Sequence, residues 1–108
     1  MSLAEPVYYL RALVEAGDRF CPPGVRAPEL ALVAHFYVRA NEQSTAGAWA
    51  HDWCRLQGLT FKEYICLPSA MTRDQIGENE EEQIQAFELA EREGEAVVIS
   101  VVLGKLPL

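Results

Sequence analysis

Two stretches of the chain are apolar on both of the faces that a β-strand would present, apart from one polar residue in each. Residues 30–38 read Leu-Ala-Leu-Val-Ala-His-Phe-Tyr-Val, and residues 96–103 read Ala-Val-Val-Ile-Ser-Val-Val-Leu. Because successive side chains of a strand point to opposite faces, both stretches predict strands that are covered on both sides. The second stretch, which is rich in β-branched residues, is expected to be a central strand of the sheet.

A helix is predicted to follow the first of these strands directly, over residues 42–57. Its apolar residues recur at helical spacing and form one stripe that includes Trp49 and Trp53, one turn apart. Asn41 is the expected N-cap, and Gly58 is the expected left-handed residue that ends the helix. Core packing is the more common role of such a tryptophan pair, and an aromatic ligand pocket is the alternative.

Three further segments complete the predicted elements. Residues 7–15 fit a strand or a helix, and we favour the strand because their first residues, Val-Tyr-Tyr, are sheet formers. Residues 60–67 alternate as a half-exposed strand, which Pro68 is expected to end. Residues 80–93 fit an amphipathic helix with an acidic outer strip. The order is therefore strand, loop, strand, helix, strand, helix, strand.

This order predicts a single α+β domain over residues 1–108. Residues 17–28, which contain three prolines, are expected to form a long loop, and residues 1–6 to be disordered or left by an expression vector. Right-handed strand–helix–strand connections predict a ferredoxin-like or related two-layer sandwich, a sheet of about four strands with both helices mainly on one face. The other apolar face would then be covered by a second copy of the chain in a homodimer.

The negative charge is concentrated in one segment. The net charge is −7, and residues 74–95 contain nine acidic residues against Arg92 alone. This balance repels phosphate backbones, so we expect no nucleic-acid binding. A solvated helix face is the simplest explanation of the acidity. As a functional surface it would attract a basic protein partner, with Glu81, Glu88 and Leu89 as the candidate contacts.

No apolar run approaches the roughly 20 residues that cross a membrane, and the first residues lack the features of a signal peptide. We therefore expect no membrane partner and a cytoplasmic location. The three cysteines are an odd number at irregular spacing, which predicts reduced thiols and not a disulfide framework.

The common motifs of enzymes are missing from the chain: there is no Gly-rich phosphate loop, nucleophile elbow, Cys-x-x-Cys or His-Glu-x-x-His. The best local pair for a metal or a cysteine nucleophile is His51 with Cys54, and Asp52, Cys66 and His35 are the further donors. Cys54 lies near the C-terminal end of its helix, where the helix dipole disfavours a thiolate. We expect no metal, cofactor or catalytic residue, and we favour a protein without enzyme activity, with an enzyme as the open alternative.

Three classes of function are compatible with these patterns. The first is a small acidic protein-binding or regulatory module that acts as a homodimer. The alternative is a small-molecule-binding protein or enzyme with a pocket between the sheet and the tryptophan-bearing helix, lined by Trp49, Trp53, Tyr37 and His35. In that pocket His35 would be the candidate base, although a histidine in a buried strand more often has only a structural role. A purely structural subunit is a third interpretation.

Overall fold

The computed structural model describes residues 5–15 and 30–103. Its elements are β1 Val7–Glu15, β2 Leu30–Arg39, α1 Gln43–Gln57, β3 Thr60–Met71, a short 3-10 turn Arg73–Gln75, α2 Glu81–Glu93 and β4 Glu95–Leu103. The four expected strands and two expected helices are present, which confirms the α+β class and the strand assignment of the first segment. The predicted loop at residues 17–28 lies outside the described residues, as do residues 1–4 of the predicted start.

The four strands form one open antiparallel sheet in the order β3-β1-β2-β4. The ferredoxin-like arrangement is not confirmed by this order. β4 is an edge strand, so its predicted central position is wrong. A strand that is apolar on both faces needs cover above and below, but this pattern does not require a neighbouring strand on each side.

The two helices cover opposite faces of the sheet, and the expectation of both on one face is wrong. Phe36 and Tyr37 are neighbours on β2 and therefore point to opposite faces. Phe36 belongs to the apolar cluster that includes Ala50 of α1, and Tyr37 to the cluster that includes Phe87 of α2. The chain thus forms three layers. The apolar character of both faces of β2 is satisfied within one chain, because each helix covers one of them.

The two ends of α1 differ in how well the sequence predicts them. The N-cap is Glu42, one residue after the expected Asn41, and its side chain makes no capping hydrogen bond. Gly58 ends the helix as predicted, with a left-handed φ of 76° and its N–H directed at the carbonyls of Cys54 and Arg55. No helix in residues 5–15 and 30–103 has the length and apolar character needed to cross a membrane.

β3 continues through Pro68 to Met71, so the expected end at the proline is wrong. Proline lacks an N–H and is tolerated in edge strands and at bulges. Both conditions hold: β3 is an edge strand, and its pairing with β1 has three register shifts. The carbonyl of Pro68 accepts a hydrogen bond from the Gln43 side chain, which connects the start of α1 to this edge of the sheet.

Candidate functional site

The face of the sheet under α1 is apolar. Trp49 and Trp53 both meet Phe36 edge-on, with ring centroids 6.3 Å and 5.6 Å apart respectively. Such edge-to-face contacts are typical of aromatic core packing. Among the described residues, no polar or charged residue is buried when the accessible surface of the whole residue is considered. The tryptophan pair therefore has the geometry of a packed core.

His51 and Cys54 of α1 lie in different environments. His51 is exposed and stacks on Phe61, with ring centroids 3.8 Å apart. Cys54 is 1% exposed, and burial raises the pKa of its thiol to about 11. A thiol with this pKa stays protonated near neutral pH, which makes it a poor nucleophile and a poor metal ligand. In the part of the chain that the structure describes, no three His, Cys, Asp or Glu side chains cluster as metal ligands would.

A pocket of about 240 Å³ lies on the opposite face, between the sheet and the segment that leads into α2. We call it the tyrosine–arginine pocket. Its polar lining residues are Tyr9, Arg11, His35, Tyr37, Gln75, Glu80 and Gln83, and its apolar lining residues are Met71 and Ile76. It has the mixed lining of a small-molecule site, with apolar walls and several convergent polar groups.

The register of β1 and β2 explains why four of these side chains meet. Tyr9 pairs with Tyr37, and Arg11 pairs with His35. Residues two apart on a strand share a face, and directly paired residues of antiparallel strands lie side by side on the same face. The four residues therefore form a compact two-by-two group on the α2 side of the sheet.

Hydrogen bonds and ring contacts hold the aromatic residues of this group. Tyr9 Oη and His35 Nδ1 are 2.8 Å apart and share a hydrogen bond, which either tautomer of a neutral imidazole can complete. The rings of Tyr9 and Tyr37 lie with centroids 5.1 Å apart. The Tyr37 hydroxyl donates to the side-chain oxygen of Gln83, which attaches the sheet to α2. These contacts restrict the rotamers that line the pocket.

Burial sets the charge state of the aromatic groups. Desolvation lowers the pKa of His35 below its ordinary value of 6.5, and the nearby Arg11 charge lowers it further, while Glu80 and Glu82 act in the opposite direction. Burial also raises the pKa of both Tyr9 and Tyr37. Near neutral pH, the pocket therefore presents two protonated phenols and a largely neutral imidazole.

Arg11 is the cation of the pocket, and its hydrogen bonding is incomplete. Its Nη2 donates to the Cys66 sulfur at 3.3 Å, and a thiol is a weak acceptor. Its Nε is buried and has no hydrogen-bond partner among the described residues. In the same part of the chain, no carboxylate lies within ion-pair distance of this guanidinium. Arg11 as a residue is half-buried, but buried polar atoms such as its Nε are ordinarily paired, so this guanidinium has unused capacity for an acceptor.

The four ligand-binding residues that the sequence suggested lie on opposite faces of the sheet, two on each face. His35 and Tyr37 line the tyrosine–arginine pocket, whereas Trp49 and Trp53 pack on the other face of the sheet. One pocket shared by all four is not formed, and a role in ligand binding stays a prediction for each. Sequence reasoning missed Arg11. Its position on the same pleat face as Tyr9 was visible in the sequence, but the register against β2 was not.

The suggested partner-binding residues all lie on the outer side of α2. Glu81 and Glu88 are exposed, and Glu88 forms an ion pair with Arg73 at 3.0 Å. Leu89 is 38% exposed, which is high for a large apolar side chain. Their role as a contact surface stays a prediction.

Known proteins offer no guide to this site. No protein-family model, no curated protein and no solved structure matches the chain. A function must therefore be inferred from the chemistry of its own residues.

Proposed function

We propose that this protein binds a small carboxylate in the tyrosine–arginine pocket. The observation that supports the proposal most directly is the buried Nε of Arg11, which has no partner among the described residues and belongs to a pocket-lining guanidinium. A buried donor without an acceptor costs about 1–3 kcal/mol. A carboxylate accepts two parallel hydrogen bonds from a guanidinium, and it would remove this cost once the Arg11 side chain turns its Nε, which is closed to solvent in this structure, toward the pocket.

The electrostatics of the pocket favour a ligand with a single negative charge. Glu80 also lines the pocket, and the whole chain carries a net charge of −7. A phosphate dianion would meet one cation and a negative surrounding field, whereas a carboxylate requires only the one guanidinium. The protonated hydroxyls of Tyr9 and Tyr37 add further polar groups beside the cation.

The size and the apolar side of the pocket restrict the rest of the ligand. A volume of about 240 Å³ lies below the roughly 300 Å³ at which pockets for drug-sized molecules begin. Met71 and Ile76 provide an apolar wall. These features fit a carboxylate with a short apolar or aromatic tail, so benzoate and butyrate are suitable probes.

The two histidines of the chain provide a direct test by NMR. His35 lines the pocket, and His51 stacks on Phe61 on the other side of the sheet. We expect saturable shifts of the His35 ring resonances on titration with benzoate or butyrate, while those of His51 stay unchanged. Benzamide, which has the same ring without the charge, should produce no saturable shift. Unchanged His35 resonances with both carboxylates would contradict the proposal.

Two matched substitutions test the role of Arg11 in binding. Arg11→Met keeps the length of the side chain and removes the guanidinium, and we expect a loss of affinity of roughly tenfold or more, as for a charge-assisted hydrogen bond. Arg55→Met is the control, because Arg55 is an exposed residue of α1 that pairs with Asp52. If the two variants bound the carboxylate equally well, Arg11 would not be part of the binding site.

A protein-binding module is the second candidate function. It is supported by the outer surface of α2, where Glu81 and Glu88 are exposed beside Leu89. A basic protein would be drawn to this surface electrostatically. Capture of such a partner by the wild type, and its loss on Glu81→Lys with Leu89→Ser, would support this function. A cytoplasmic location, where thiols such as Cys54 and Cys66 stay reduced, belongs to both proposals.

A further inference from the structure

β4 has one edge without a partner strand in the described part of the chain. β2 pairs with β4 from Glu95 to Leu103 on one side, and the sheet order β3-β1-β2-β4 ends there. The outer N–H and C=O groups of a nine-residue strand are therefore available for pairing with another strand. We propose that this edge joins a second copy of the chain, so that two four-stranded sheets become one continuous sheet in a homodimer.

β4 lacks three features by which proteins protect exposed edges. It contains no proline or lysine, and its register with β2 has no bulge. β3, at the other edge, contains Lys62 and Pro68, and three register shifts interrupt its pairing with β1. Such features prevent a strand from serving as a regular template for pairing. The contrast selects β4 as the pairing edge.

The position of Leu89 on α2 is a second, independent observation. Glu88 pairs with Arg73 in the turn after β3, and the carbonyl of Glu91 accepts from the side chain of Arg39 at the end of β2, so these contacts lie on the side of α2 away from the free edge of β4. Leu89 lies about 100° around the helix from Glu88, away from the flank that contains Glu91. Because α2 packs over β4, the 38% exposed Leu89 lies on the flank toward the free edge. A strand added there would bring an apolar neighbour close to it.

A second copy is the partner whose charges fit this edge. Residues 96–103 carry no charge, in a chain with a net charge of −7. Two identical strands pair antiparallel about a two-fold axis, which makes the interface self-complementary. If the axis passes through Ile99, each Glu95 lies opposite residue 103 of the other copy. The two Glu95 carboxylates are then about 27 Å apart, at a rise of about 3.4 Å per residue.

The first measurement is the mass of the full chain in solution by light scattering, at micromolar concentration. We expect twice the 12.1 kDa of one chain. Ser100→Lys places a charge at an exposed position of β4, where the two new lysines would lie diagonally across the axis, about 7–8 Å apart. Leu89→Lys changes the helix above the same edge. Each variant should raise the dimer dissociation constant roughly tenfold or more, which moves the mass toward one chain.

Leu67→Lys is the matched control, because it places the same charge at a 66% exposed leucine on β3. It should leave the dimer intact. A monomeric wild type would overturn the proposal, and so would a dimer that survives both Ser100→Lys and Leu89→Lys. If Ser100→Lys does not fold, the exposed helix variant Leu89→Lys decides. Amide hydrogen exchange in β4 should also slow as the wild-type concentration rises, and exchange independent of concentration would contradict the pairing.

Discussion

The two faces of the sheet are built from alternate residues of the same strands and each has an apolar cluster, yet only the α2 face also has the tyrosine–arginine pocket. The α1 face places Leu10 and Phe36 under the tryptophans of α1 in an apolar cluster. The α2 face places Arg11 and His35 from the same two strands in a polar pocket. Unsatisfied buried polar groups cost stability, and proteins retain them chiefly where a ligand or a reaction uses them. The comparison predicts that the α1 face contributes more to stability, and it is consistent with the proposal that a ligand binds on the α2 face.

The largest effect should follow from damage to the apolar face. Phe36 is fully buried between the two tryptophans of α1, and Phe36→Ala would leave a cavity there. We expect a loss of about 3–5 kcal/mol in the free energy of unfolding, measured by urea denaturation. Leu67→Ala, at an exposed leucine of β3, should change it by less than about 0.5 kcal/mol. A loss below about 1 kcal/mol for Phe36→Ala would contradict this role of the α1 face.

The sequence predicted the strands and helices better than it predicted their arrangement. Period-two alternation located β3, a run of β-branched apolar residues located β4, and helical spacing located α1, because these patterns depend on near neighbours in the chain. Both faces of β2 are apolar, so periodicity could not show that Phe36 and Tyr37 lie under different helices. The pocket depends on Arg11 meeting His35 across the sheet. That meeting is set by strand register over a long separation in sequence, which local patterns do not contain.

A smaller effect of opposite direction should appear on the polar face. Arg11→Met replaces a guanidinium with a buried, unpaired Nε by an apolar side chain of similar length. Replacing such a group is often neutral or stabilising, so we expect the free energy of unfolding to rise by about 0–1 kcal/mol without ligand. The same variant should bind benzoate more weakly, as proposed above. A loss above about 1 kcal/mol in the absence of ligand would mean that Arg11 is chiefly structural.

The smallest expected effect is a dependence of stability on pH that arises from His35. Burial, reinforced by the Arg11 charge, lowers its pKa in the folded state, although Glu80 and Glu82 oppose the shift. As the pH falls through the ordinary value of 6.5, the unfolded chain therefore takes up the proton before the folded one. This contribution to stability is present above that pH and is lost as the pH falls toward the folded-state pKa. Urea denaturation between about pH 7.5 and 5.5 should show the loss, above the range in which ordinary carboxylates titrate.

Two substitutions distinguish the contribution of His35 to the pH dependence of stability from the contributions of other titrating groups. His35→Gln keeps a hydrogen-bonding group near Tyr9 and removes the titration, so the decline in unfolding free energy over this pH range should become shallower. His51→Gln removes the exposed histidine on the other side of the sheet and should leave the decline unchanged. The opposite result would be a shallower decline in unfolding free energy for His51→Gln and an unchanged decline for His35→Gln. The titratable face of the sheet would then be the one under α1, and the contrast between the two faces would be reversed.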